Sequence, residues 1–370
     1  MNETLNFAFF LLTFWLVVYI LSRKLSLSRY GLDIRPFFIK WESKKFRDLL
    51  YRCSSRWGRA WRAFSWVSMF IGVGLMALAL AFLLWNIVRV VIVHEASSSV
   101  ALVIPGVTLR LYWLPYFLVA VVITIFIHEA AHGAVALSES ISVKSAGALL
   151  LATFFGGFVE LDERELNVAP PKAKIKVFSA GSASNLLAGL IVFLLLSGLF
   201  IQIPSGLIVL ETLEEGPLQR AGIRTWDIIY ALNNHEIHTL QDLGDFMSSV
   251  KPGEEIVVRT GRGDFVVTAA PSPGCGQRAI IGLVSSIPYY PSRLGLGYPL
   301  DVHLYLTLNW LFIVLVSVAA LNMLPIPYLD GDRLLQCLAE RASRVGAAVK
   351  KLLNALSIFL LLVNIVMSSV

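Results

Sequence analysis

The run LYWLPYFLVAVVITIFIHEAAHGAVALS, Leu111–Ser138, decides how this chain is built. From Leu111 to Ile127 it carries no charge, and the apolar pattern resumes after His132, so His128, Glu129 and His132 interrupt what otherwise reads as a spanning helix. A spanning helix needs about 20 apolar residues to cross a hydrocarbon core of about 30 Å. An ionisable side chain at that depth costs about 2.5–3.5 kcal/mol on insertion scales, so it needs a partner and marks function. Residues four apart share a helix face. His128 and His132 can therefore aim imidazole nitrogens at one Zn²⁺, and Glu129, beside the first, can take a proton from an attacking water. Two core histidines satisfied by hydrogen bonds alone would place three polar groups in lipid to no purpose.

The rest of the chain agrees with a membrane setting. Hydrophobic residues make up 56% of the 370, charged residues only 15%, and the mean hydropathy is +0.71. A soluble globule cannot hide that much apolar surface, so a soluble enzyme and a disordered chain are both excluded. Further charge-free runs at Thr4–Ser22, Ala63–Val88, Val177–Phe200, Leu304–Leu329 and Leu352–Val370 predict about six spans in all. Three scattered cysteines (Cys53, Cys275, Cys337) argue against a disulfide framework or a cysteine-built metal site.

Between Ser22 and Ala63 stand twelve Lys and Arg residues against Asp33, Glu42 and Asp48, whereas Glu95–Arg110 has a single Arg. Basic loops stay in the cytosol, which places Ser22–Arg62 inside and both termini outside. Phe37, Phe38, Trp41, Phe46, Leu49, Leu50, Trp57 and Trp61 interleave with these cations. That pattern fits a topology signal, or an amphipathic helix lying on an anionic leaflet. Nucleic acid is not expected as a partner.

Two imidazoles leave a catalytic zinc site one protein ligand short. Asp330 is the candidate third ligand, in the stretch Asn322-Met-Leu-Pro325-Ile-Pro327-Tyr-Leu329-Asp330-Gly331, with Asp332 as competitor. Pro325 and Pro327 predict a broken fifth helix there, which membrane proteins tolerate where the backbone is buried in protein or lines a wet cavity. Ser145–Val159 is apolar but too short to span. It reads as a re-entrant loop or strand, able to offer an edge to an unwound substrate or else to pack as an interfacial loop.

From about Ile203 to Pro288 charges and turn residues return, with strand-like runs at Leu207–Thr212, Ile228–Asn233, Glu255–Thr260 and Phe265–Ala269. The succession EEGPLQRAGI, DIIYALNNHEI, TLQDLGDFM and KPGEEIVVRTGRG resembles a PDZ domain. The resemblance implies capture of an extended peptide, with the binding loop near Ile281-Gly282-Leu283. His235 and His238 read as surface residues of this insert.

HEAAH in one span, NMLPIPYLDG in a later one and a PDZ insert between them resemble the site-2 protease family of intramembrane zinc metalloproteases, over roughly Leu111–Val370. The resemblance implies zinc on His128, His132 and Asp330, catalysis by Glu129, and contact of Asn322 with the substrate carbonyl. The family's Gly-Pro-x-x-Asn element matches Gly181-Ser-Ala-Ser-Asn185, which lacks the proline. The expected organisation is a two-span N-terminal region (1–110), a catalytic core in two parts (111–202 and 291–370) and a PDZ-like domain (203–290). The expected fold is thus a multi-pass α-helical membrane protein with one inserted α+β PDZ-like domain. The expected function is cleavage of single-span membrane-protein substrates within or near the lipid bilayer, in regulated intramembrane proteolysis. The active site would face the cytosol and the PDZ-like domain would lie outside it, reading peptide C-termini or filtering by size. A prokaryotic cell membrane is the expected location. The rival readings are a membrane-anchored PDZ adaptor, a structural-metal membrane protein without peptidase activity, and a zinc protease with a glutamate ligand among Glu160, Glu163 and Glu165.

Overall fold

The computed structural model describes residues 3–24, 31–94, 100, 103, 108–152, 154–272, 275–340 and 343–368. Its elements run α1 (Glu3–Lys24), β1 (Leu32–Arg35), β2 (Phe38–Glu42), α2 (Lys44–Arg56), α3 (Gly58–Val88), α4 (Leu114–Ser138), β3 (Val143–Leu151), β4 (Phe154–Leu161), α5 (Glu163–Val168) and α6 (Pro171–Leu199). Then follow β5 (Leu207–Thr212), α7 (Pro217–Arg220), β6 (Ile228–Leu232), β7 (His235–Glu236), α8 (Leu240–Ser249), β8 (Glu255–Thr260), β9 (Gly263–Thr268), β10 (Ala270–Ser272), β11 (Cys275–Ile280) and β12 (Leu283–Pro288). The chain closes with α9 (Leu300–Asn322), α10 (Asp330–Ala339) and α11 (Ser343–Met367).

Among the described residues, five helical segments are long and apolar enough to cross a membrane: Gly58–Val93, Leu111–Ser138, Pro171–Leu199, Leu300–Asn322 and Val345–Met367. This is a multi-pass membrane protein. The first predicted run, Thr4–Ser22, lies within α1, which is helical but is not one of the five. From Phe9 to Leu21 its large apolar side chains are mostly exposed, while Trp15 is buried and its indole donates to the Ala152 carbonyl at 3.1 Å. The fifth predicted run stops early. α9 ends at Asn322 because Pro325 and Pro327 have no N–H to continue the ladder.

The chain divides into two compact units, Met1–Ile191 with Trp310–Val370, and Val192–Asn309. In the first, α3, α4, α6, the end of α9 and α10 share one apolar core that includes Met76, Val135, Val177, Ala319 and Leu334. A polar contact also fastens α3 to that core. The Lys176 ammonium pairs with Glu139 at 2.8 Å and lies 3.9 Å from the Trp66 ring centroid, and the Ser65 hydroxyl donates to the same carboxylate at 3.1 Å. Both charges are largely withdrawn from solvent, which requires such pairing.

The basic N-terminal segment is more than a leaflet-bound helix. β1 and β2 extend a β3–β4 hairpin into a four-stranded antiparallel sheet of order β1-β2-β3-β4, with Phe38 opposite Leu151 and Glu42 opposite Gly147. A helix does form after Ser43, whose hydroxyl accepts from the Phe46 N–H as an N-cap. That helix, α2, packs on α4. Leu50 is buried against it, and the Ser54 hydroxyl donates to the Ala134 carbonyl at 3.4 Å. Of the interleaved apolar residues, Leu50 and Phe46 thus pack against protein, while Phe37, Trp41, Leu49 and Trp57 stay exposed.

The second unit holds an antiparallel sheet of order β12-β5-β6-β8-β9, with β7 on β6 and a separate β10–β11 pair. α8 starts at a capping box, Thr239 with Asp242. This is the inserted α+β, PDZ-like part of the fold. Exposed His235, and His238 beside Glu236 at 3.2 Å, sit on its surface. Its β6 entrance is fixed by buried Asp227, which accepts from the Arg224 N–H at 2.7 Å and from the Arg262 guanidinium. Asp227→Ala should therefore destabilise the insert by about 1–3 kcal/mol, since it strands these donors. Hydrogen–deuterium exchange on the full chain should show faster exchange across Ile223–Leu232 and leave α4 and α6 unchanged.

Candidate metal centre

HEAAH occupies the later turns of α4, so His128 and His132 lie one turn apart on a single face, as the spacing predicts. Asp330 reaches the same point from the first turn of α10, beyond the proline break. Its Oδ2 lies 3.0 Å from each Nε2, and the two Nε2 atoms are 3.1 Å apart. One ligand atom from each residue fits within 4.8 Å of the other two. Asp332 points elsewhere: it accepts from Asn354 at 2.8 Å and pairs with Lys350 at 3.1 Å. Glu165 is likewise committed, to the Ser142 N–H and hydroxyl.

The tautomers follow from the outer partners. His132 Nδ1–H donates to the Val177 carbonyl at 2.7 Å, which leaves the Nε2 lone pair facing inward. His128 Nδ1 lies 3.1 Å from the Asn185 side-chain amide, whose Oδ1 is buried and otherwise unpartnered. Turning that amide over puts Oδ1 on the Nδ1–H, which satisfies the stranded oxygen and frees the His128 Nε2 lone pair. Two lone pairs and a carboxylate oxygen then converge at about hydrogen-bond distance. They repel one another unless a cation lies among them. Two His nitrogens with one Asp oxygen form a zinc-type donor set of three protein ligands, a number that leaves a position for substrate or water.

α6 passes close in front of this triangle. A methyl group at Gly181 would lie 2.4 Å from His132 Nε2 and 2.5 Å from His128 Nε2, so only glycine lets the backbone approach there. A methyl at Gly331 would lie 2.3 Å from the Met323 carbonyl and 2.5 Å from that of Leu324, so the chain carrying Asp330 turns against the end of α9. Asn322, the last residue of that helix, places its amide nitrogen 3.4 Å from His128 Nε2.

The cluster opens on a cavity of about 680 Å³ whose lining includes Glu129, Glu160, Lys174, Asn322, Arg333 and Gln336. Tyr328 also borders it, almost fully exposed and with a left-handed φ of 76°. All five predicted site residues, His128, Glu129, His132, Asn322 and Asp330, line this one space. Asn185 and the Val177 carbonyl complete the surroundings. No sequence signal marks a backbone carbonyl, and Asn185 was legible only through its place after Gly181.

Known proteins share this region. The sequence profile of peptidase family M50 matches residues 116–364, more than half of the chain. An uncharacterized protein of Methanocaldococcus jannaschii is 30% identical over 252 residues, 65% of this chain and 63% of its own length. A membrane-bound transcription factor site-2 protease homolog of Arabidopsis thaliana is 26% identical over 141 residues, 38% of this chain and 28% of the plant protein. A Clostridium perfringens protein named as a zinc metalloprotease is 28% identical over 171 residues, 43% of this chain and 49% of the other. The chain thus spans less than two thirds of the length of each of these relatives. The matched region takes in α4, β3, β4, α6, the insert, α9 and α10 with every residue of the cluster, and on that match the chain belongs to peptidase family M50.

Proposed function

We propose that the protein is an intramembrane zinc metallopeptidase that hydrolyses peptide bonds within or near the spanning segments of membrane-protein substrates. The observation that carries this reading is the convergence of His128, His132 and Asp330 on one point beside Glu129, in a polar cavity among membrane-spanning helices. In it, His128, His132 and Asp330 hold the ion. When bound, zinc supplies Lewis-acid polarisation of the scissile carbonyl and lowers the pKa of the attacking water. Glu129 takes the proton from that water and delivers it to the leaving nitrogen as the carbon–nitrogen bond breaks. The Asn322 amide donates to the carbonyl oxygen as negative charge develops there, a contact of a kind that contributes about 2.7–4 kcal/mol in other hydrolases.

A helical substrate hides its peptide bonds and must be unwound first. β4 forms an edge of its sheet, and a methyl at its Gly157 would lie 2.8 Å from the Glu129 Cγ, so the strand runs directly past the proposed base. An unwound segment added to that edge would present its backbone to Glu129. Charge supports the orientation. The basic segment 22–62 contributes β2 and α2, which pack on β3 and the HEAAH half of α4, so the cluster and the cations share one end of the bundle. With cytosolic cations, the site faces the cytosol. The PDZ-like insert would take extended peptide termini from substrates already cut once.

Glu129→Gln should keep zinc at one ion per chain, measured by elemental analysis, while cleavage of a reconstituted single-span substrate falls at least about 100-fold. Full activity in that variant overturns the assignment. Asn185→Ala should weaken zinc about 10–100-fold in chelator competition, whereas Asn185→Asp, which keeps an acceptor for the His128 Nδ1–H, should hold it near the native affinity.

A further inference from the structure

Glu129 and Gly157 border a second cavity as well as the polar one. It measures about 360 Å³, and its lining is apolar apart from Glu129, Ser43 and Lys45. One wall is α4, through Ile125 and Phe126, and another is the glycine-bearing part of β4. The third wall is α2, through Phe46 and Leu49. The Phe46 and Phe126 ring centroids stand 5.1 Å apart, so aromatic contact fixes the two helices at the cavity's side. Buried Leu50 and the Ser54 hydroxyl hold α2 in that place. Residues 41–49 lie outside the region that matches the family, so this wall is an addition made by the N-terminal segment.

A carboxylate shared by a polar and an apolar cavity constrains what can be cut. Along an extended segment lying on β4, successive side chains point to opposite faces. With its scissile bond at Glu129, such a segment directs one flanking side chain into the apolar space and its neighbour away from it. We propose that this cavity is a specificity pocket for a large apolar side chain of the substrate, of leucine or phenylalanine size, next to the cleaved bond, and that α2 sets its depth. The inference rests on the peptidase reading and names the substrate class of that site. Desolvation favours phenylalanine over alanine there.

The test uses the full zinc-loaded chain in lipid vesicles and single-span substrates that vary only at the two positions flanking the cut, with products mapped by mass spectrometry. At one flanking position, phenylalanine and leucine should be preferred over alanine by about 10–100-fold in kcat/KM. Leu49→Trp, which fills the pocket from a half-exposed position, should reduce the phenylalanine-to-alanine ratio at least tenfold at unchanged zinc content. Leu49→Ala should shift preference toward larger side chains. Binding of fluorescent peptides to Glu129→Gln should follow the same order without turnover. Equal cleavage across the series, a preference untouched by both Leu49 variants, or a phospholipid acyl chain that keeps the pocket while substrate is bound would each overturn the pocket. Absence of cleavage of every substrate by the zinc-loaded chain would overturn the peptidase reading, and the pocket with it.

Discussion

Three electron-pair donors facing one another inside an apolar bundle repel unless a cation lies among them, and most of the first unit can be understood as the means of holding them so. Each donor is fixed from behind. His132 is anchored by the Val177 carbonyl, His128 by the Asn185 amide, and Asp330 by a backbone turned tightly against the end of α9. Three elements therefore contribute to one point, and glycine stands where backbone must pass closest. His128, His132, Asp330 and Glu129, the ionisable groups that lipid would penalise, face one another or the polar cavity.

Much of this was legible in the sequence because its signals are strong and local. A spacing of four on a helix puts His128 and His132 on one face, and two prolines after Asn322 end a helix wherever they occur. What could not be read depends on distant partners. The strands at Leu32–Arg35 and Phe38–Glu42 are short, and their alternation is blurred by cations, so the segment reads as a topology signal or, from Phe37 onward, as an amphipathic surface helix. Only the β3–β4 hairpin, about a hundred residues later, gives them a ladder to join. The choice between Asp330 and Asp332 likewise turns on where α11 places Lys350 and Asn354, which engage Asp332 and leave Asp330 to the histidines. The role of Asn185 rests on a stranded amide oxygen, visible only in three dimensions.

The N-terminal segment also changes what the sheet is. A two-stranded hairpin is marginal by itself, yet here β3 and β4 belong to four strands, backed by α4 and α2. The strand that passes Glu129 is thus a firm edge, and the helix that secures it also walls the apolar space beside Glu129.

The ion pair between Lys176 and Glu139 bears on where the working unit begins. Its two charges lie on α6 and just past the end of α4, inside the region common to the family, but Ser65 and Trp66, which complete their solvation, lie outside it. Trimming the protein to the shared region would leave a carboxylate and an ammonium half-solvated at the rim of the bundle, and would strip Leu75 and Met76 from the core beneath them. The compact first unit therefore extends beyond the matched region, and α3 is a structural member of it.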